Sequence, residues 1–295
     1  MLSDRPLSSA TGDRARFVDR EEEVTRWRHQ LDLGANLLVS GTRGAGKTST
    51  VNQLLAGTRV HRVGLVEDLT GLARDLGAFE RLGTPLEAAL ADQLSQLDVT
   101  VIWLDDPPAG PLASQFAALR DVWWAASIPW VVTVETGDHA EWLRRPADAF
   151  FEHVQLGPLS DGDAAELLRR RAADLPDPFD RLLRELAEDL VAVTDRLPGT
   201  LVRTARAALA SADPRSWIEQ ASQQDQAAEQ LSGTHQQVLG WLRAHGPTSA
   251  SDPEVLQALG VTRGRVSQLM ADLAEEGLVT SAREGRHVLY RPTEG

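Results

Sequence analysis

Apolar residues form short runs and helical stripes that alternate along the first half of the chain. "ANLLVS" (35–40) is a continuous apolar run of strand length, and "TSTVNQLLAG" (48–57) behind it has helical spacing. Val99 to Leu104, within "DVTVIWLDDPP", is a second run that stops at two aspartates. "GPLASQFAALRDVWWAAS" (110–127) predicts one amphipathic helix, and "IPWVVTVETGD" (128–138) predicts another buried strand. "EHVQLGPLS" (152–160) reads as a last short strand and an exit turn. Unbroken apolar strands alternating with helices predict an α/β fold, a parallel sheet with helices on both faces.

After a polar stretch, "SWIEQASQQDQAAEQLSG" (216–233), the pattern changes. "THQQVLGWLRAHG" is a helix with Val238, Leu239 and Leu242 on one side. In "SDPEVLQALG", Ser251 and Glu254 have capping-box spacing and Pro253 sits in the first turn. "VTRGRVSQLMADLAEEG" predicts a third helix, with Thr262 as N-cap and Val266, Leu269, Met270 and Leu273 as core. "LVTSAREGRHVLYRP" reads as two strands joined around Glu284-Gly285.

Composition narrows the chemistry. The chain has 295 residues, enough for two domains, and no cysteine, so disulfides and thiolate metal sites are excluded and a reducing cytoplasm is expected. Its seven histidines lack ligand spacing, and no apolar run approaches the roughly 20 residues needed to span a bilayer. No membrane association is expected. The net charge of −13 argues against indiscriminate nucleic-acid binding. Residues 231–295 hold six arginines and seven acids, so nearly all of that charge lies upstream.

Of the 30 cationic residues one is a lysine, Lys47, inside "GTRGAGKT" (41–48). The string satisfies G-x-x-x-x-G-K-[ST] and stands between a predicted strand and a predicted helix. That arrangement suits a phosphate cradle. Gly41, Gly44 and Gly46 let the backbone curl its N–H groups around an anion, and the helix directs its positive end at the same place. Lys47 is a flexible point charge for the β- and γ-phosphates, where a guanidinium is too wide. The candidate cofactor-binding run is Gly41, Gly44, Ala45, Gly46, Lys47, Thr48 and Ser49, the cofactors ATP and Mg²⁺. Thr48 and Asp105 are the candidate Mg²⁺ ligands. Asp106 is placed to orient or deprotonate water. Thr136, at the carboxyl end of its strand, is a candidate contact to the γ-phosphate or the water.

These motifs resemble the AAA+ and STAND branch of P-loop ATPases over roughly residues 15–212. "FVDREEEVTRW" is similar to the segment that precedes the family's P-loop and places Val18 near the adenine. "VTVIWLDDPP" resembles its Walker B strand, "VVTVET" its sensor-1 strand, and "LGPLSDGDAAELLRRRA" its passage into a helical lid. "VTDRLPGTLVRTARAAL" resembles a lid segment carrying Gly-x-Pro. Pro198 matches it, Arg196 stands in place of the Gly, and Gly199 stands where a sensor-2 arginine is common. Arg203, one turn on, is the alternative. Arg144 and Arg145 lie where assemblies carry an arginine finger acting on a neighbour's ATP, or form a solvated helix end. The resemblance implies an ATPase core over 1–158, a lid over 159–212 and a linker helix over 213–230.

Residues 231–295 resemble the winged helix-turn-helix of MarR-type regulators. That implies a third helix entering the major groove of double-stranded DNA through Arg263, Arg265, Ser267 and Gln268. Arg283, Arg286 and Arg291 on the wing would reach phosphates. Two readings stand. One is a nucleotide-switched DNA-binding ATPase that forms homo-oligomers with ATP. The other is a STAND-like switch whose winged helix contacts protein, an alternative to which Asp272, Glu275 and Glu276 on the same helix lend weight.

Overall fold

The computed structural model describes residues 2–3, 5–64, 66–78, 85–107, 110–143, 151–229, 233–284 and 287–293. Arg144, Arg145, Gly285 and Arg286 lie outside them. The chain divides into two compact units, Met1–Ala187 with Thr194–Arg203, and Glu188–Val193 with Thr204–Gly295.

The first unit runs α1 (Thr11–Arg14), α2 (Glu21–Asp32), β1 (Asn36–Gly41), α3 (Lys47–Leu54), β2 (Val60–Val63), α4 (Leu69–Asp75), α5 (Leu86–Gln96) and β3 (Val101–Asp105). It continues through α6 (Pro111–Ala118), α7 (Arg120–Ala126), β4 (Trp130–Glu135), α8 (His139–Trp142), β5 (Phe151–Leu156), α9 (Asp161–Ala172) and α10 (Phe179–Glu185). The strands pair in parallel in the order β2-β3-β4-β1-β5. Alternate residues feed two cores. Leu38, Ile102, Leu104, Trp130, Val132 and Val134 face one. Leu37, Val39, Val101, Trp103, Val131 and Val154 face the other. Both faces are therefore covered, as unbroken apolar strands require.

Residues 110–127 form two helices instead of the predicted one, broken at Leu119 (φ −99°, ψ 16°). Aromatic packing accounts for the break. Trp123 turns back to stack on Phe116, with centroids 4.9 Å apart, and its indole N–H donates to the Phe116 carbonyl at 2.9 Å. Trp130 meets both rings edge-on. A straight helix would carry Trp123 away from this cluster, and burying such a side chain is worth about 1.5–3 kcal/mol.

α11 (Ala187–Ala192) and α12 (Pro198–Ala210) each contribute to both units. The helices expected to form one lid over 159–212 are thus divided between the units. α9, α10 and the first turns of α12 fall in the first unit.

The second unit continues with α13 (Pro214–Glu229), α14 (Gly233–His245), β6 (Thr248–Ser249), α15 (Pro253–Leu259), α16 (Arg263–Glu275), β7 (Val279–Glu284) and β8 (His287–Pro292). Val238, Leu239, Leu242, Val266, Leu269, Met270 and Leu273 form its core, as the helical spacing predicts. Thr262 caps α16, its hydroxyl accepting from the Arg265 N–H. The cap of α15 is Asp252, not Ser251. The Asp252 carboxylate accepts from the Glu254 N–H, while the Ser251 hydroxyl bonds to Ser249. β6 was not predicted. It adds a short third strand, ordered β6-β8-β7.

Candidate nucleotide site and winged-helix surface

The P-loop lies between β1 and α3, and β4 and β5 flank β1. Gly44 and Gly46 adopt φ of 91° and 90°, a region that excludes most side chains. A Cβ on Gly41 would press on the Ala45 Cβ at 3.0 Å and the Leu156 carbonyl at 3.2 Å. The first turn of α3 leaves its N–H groups free to bind an anion.

A cavity of about 430 Å³ opens over this turn. Thr42 to Ser49, Asp106 and Glu135 form its floor, with Pro198, Gly199, Val202, Arg203, Arg171 and Arg5 around them. Lys47, 8% exposed, donates to the Gly41 carbonyl at 3.0 Å and to the Glu135 carboxylate at 2.7 Å. Four arginines, Arg5, Arg43, Arg171 and Arg203, share the wall with it. In a chain of net charge −13 this is a local basin of positive charge.

Two candidate residues move relative to expectation. Asp105 does not line the cavity. Its carboxylate accepts from the Thr133 hydroxyl at 2.9 Å and pairs with Arg62, which also lies over the Trp103 ring. The carboxylate on the wall is Asp106. Its backbone is left-handed (φ 55°), a conformation aspartate tolerates, and its N–H is held by the Thr133 hydroxyl and carbonyl at 3.0 and 3.1 Å. Burial pushes the Asp106 carboxyl above the usual aspartate range. Lys47 opposes that shift, and Glu135, Asp105 and Asp138 add to it. Thr136 is exposed and off the wall. Glu135, in register with Gly41, takes the position beside the phosphate cradle.

Other side chains hold the cradle from behind. Arg20, buried and itself left-handed (φ 67°), donates to the Ala45 carbonyl at 3.1 Å and the Gly157 carbonyl at 2.6 Å. Burial lowers its pKa. The Ser49 hydroxyl accepts from the Leu7 N–H at 3.0 Å, and Asn52 and Gln53 donate to the Leu7 and Ser8 carbonyls. The N-terminal segment is thereby strapped to α3. Asp13, 2% exposed, anchors it, pairing with Arg5 and Arg16 and accepting from Ser8. Arg171 donates to the Ser3 carbonyl, and burial lowers its pKa. Val18 is buried and off the cavity wall.

The Pro198-Gly199 pair closes over the turn. The Gly199 N–H donates to the Gly44 carbonyl at 2.9 Å, and a Cβ on Gly199 would stand 2.8 Å from the Gly44 Cα. A side chain at 199 therefore cannot fit without displacing the P-loop. Arg203, one turn along α12, lines the cavity instead. Arg196 is left-handed (φ 59°), a conformation that favours glycine, and it pairs with Asp161.

On the winged helix, Arg263, Arg265, Ser267 and Gln268 are exposed along the N-terminal turns of α16. Arg283 and Arg291 are exposed on the wing, but on opposite faces. Arg283 shares its face with Val279, and Arg291 shares the other with Thr280. A duplex lying against one face meets one of the two. Farther along α16, Asp272 meets His235 at 3.1 Å.

The fold is shared with a Walker-type ATPase, and its C-terminal part is a MarR-like winged helix. Residues 229–287 match the family model described as MarR family. Among solved structures, a Walker-type ATPase of Pyrococcus abyssi is 15% identical with a TM-score of 0.53, the alignment covering 100% of this chain and 97% of that one. A variant of the Thermotoga maritima RuvB protein is 15% identical with a TM-score of 0.50, covering 99% and 96%. At these identities the likeness establishes the fold. A search of curated proteins found no match.

Proposed function

We propose that the protein binds ATP with Mg²⁺ in the P-loop cavity, hydrolyses it, and binds double-stranded DNA through its winged helix under control of the bound nucleotide. One observation carries the nucleotide part. The glycine turn, the single lysine and four arginines converge on one cavity of nucleotide-binding size. Lys47 and the N–H groups of the turn hold phosphate oxygens. The Thr48 hydroxyl on the cavity wall would hold Mg²⁺ beside the phosphates. Bound Mg²⁺ supplies neutralisation of the phosphate charge. Asp106, more basic than an ordinary aspartate because it is buried, takes up the proton of the attacking water.

The DNA part rests on the two arginines exposed at the start of α16, Arg263 and Arg265, where a winged helix meets base edges. The test is fluorescence anisotropy of a mixed pool of short duplexes at low salt, with and without MgATP, beside phosphate release from the same samples. Duplex binding that changes with MgATP supports the reading. Phosphate release with no duplex binding in either condition would assign the winged helix to a protein-contacting role.

A further inference from the structure

We propose that Glu135 makes nucleotide binding at this P-loop depend on a divalent cation, by setting a carboxylate against the lysine that phosphate must reach. The inference rests on the nucleotide reading above and adds a specificity determinant to it.

The geometry is particular. Lys47 commits one donor to the Gly41 carbonyl at 3.0 Å and another to the Glu135 carboxylate at 2.7 Å. The Lys47 side chain is 9% exposed and that of Glu135 37%, so the carboxylate offsets the ammonium at the partly buried edge of the cavity. Asp106 lines the same wall, a second carboxylate a short way from the cradle. Of the four arginines on the wall, Arg5 is neutralised by Asp13 through two bonds of 2.7 and 2.8 Å, Arg171 keeps its charge while donating to the Ser3 carbonyl, and Arg43 and Arg203 are exposed, where water and salt screen them. A metal-free triphosphate entering the cradle therefore brings several negative charges beside two carboxylates and a lysine already paired. A divalent cation travelling with the triphosphate offsets much of that charge, and the repulsion then falls chiefly on the metal-free form. Register places Glu135 here. It is the last residue of β4 and the parallel partner of Gly41, the first residue of the phosphate-binding motif.

Glu135→Gln removes the charge and keeps an oxygen for Lys47. Isothermal titration of ATP into the full-length protein, once with excess EDTA and once with Mg²⁺, measures the effect in two arms. The expected result is a gain of about tenfold in affinity in EDTA and a change of less than about threefold with Mg²⁺. Glu135→Ala should move both arms in the same directions, and thermal unfolding of both variants checks that they fold. Equal gains in the two arms would overturn the proposal, because Glu135 would then compete with phosphate whatever the metal. A loss confined to the Mg²⁺ arm would overturn it too, by making Glu135 a cation-holding group. No change in either arm removes any role for the charge. Failure of the wild type to bind in both arms is a different result, and it overturns the nucleotide reading itself.

Discussion

Gly199 shows how much one residue type decides in this site. With its missing Cβ the chain packs its backbone on Gly44. Gly199→Ala is expected to cost about 1–3 kcal/mol, because the clash is with backbone and cannot be relieved by a rotamer. Urea denaturation measures that loss, and nucleotide affinity should fall with it as the turn shifts. Asp13 predicts a pH effect. Its hydrogen bond from Arg5, aided by Ser8, holds its carboxyl well below the usual range despite the opposing burial. A carboxylate with a depressed folded pKa stabilises above its unfolded value of about 3.9, and that stability is lost as the pH falls from there towards the folded pKa. Asp13→Asn should lower the urea midpoint at pH 6 and narrow the gap to wild type at pH 3. A gap as wide at pH 3 as at pH 6 would contradict this. At the same scale, the sequence made the Gly41–Ser49 cradle legible because its residues are contiguous and chemically unusual. Arg5, Arg171 and Glu135 carry no such local mark, and Arg5 and Arg171 join the wall only through tertiary packing. Asp105 and Thr136 lie off the cavity wall for a related reason. Which of two adjacent residues faces a cavity at a strand end depends on backbone turns such as the left-handed Asp106.

Among the elements, the buried strands were the most legible, since β1, β3 and β4 are continuous apolar runs. β2, whose central His61 and Arg62 are not buried, carries little hydrophobic signal, and the two-residue β6 carries almost none. The break between α6 and α7 was invisible because an amphipathic stripe runs straight through it. Trp123→Ala is expected to cost about 3–5 kcal/mol, against about 1 kcal/mol for the lost indole bond alone, so the ring should dominate. Circular dichroism on thermal unfolding would report the difference from Trp123→Phe. In the winged helix, Arg263→Ala or Arg265→Ala should cost about 1–3 kcal/mol on a preferred duplex and less on others if either reads a guanine. Arg283 and Arg291 point from opposite faces of the ribbon, so alanine at only one of them should flatten the salt dependence, by about 0.9 in log–log slope. Anisotropy titrations at several salt concentrations test this, and equal losses at both positions would mean that the wing is not approached from one face.

For the whole molecule, charge distribution is the governing feature. The winged-helix segment is nearly neutral and the rest strongly acidic, so the intact chain should bind duplex more weakly than residues 231–295 alone, and MgATP should narrow the difference. Assembly of several copies with ATP belongs to the same account, and sedimentation with and without MgATP measures it. Among the described residues no helix is long and apolar enough to cross a membrane. All of this depends on the cavity being a phosphate cradle built on Lys47, and the most direct measurement is calorimetric titration of MgATP into the wild type and into Lys47→Ala. The account predicts that the wild type binds and that the variant loses about 1.5–3 kcal/mol, the worth of a charge-assisted hydrogen bond. Equal affinity in the two proteins, or heat of binding in neither, would contradict it.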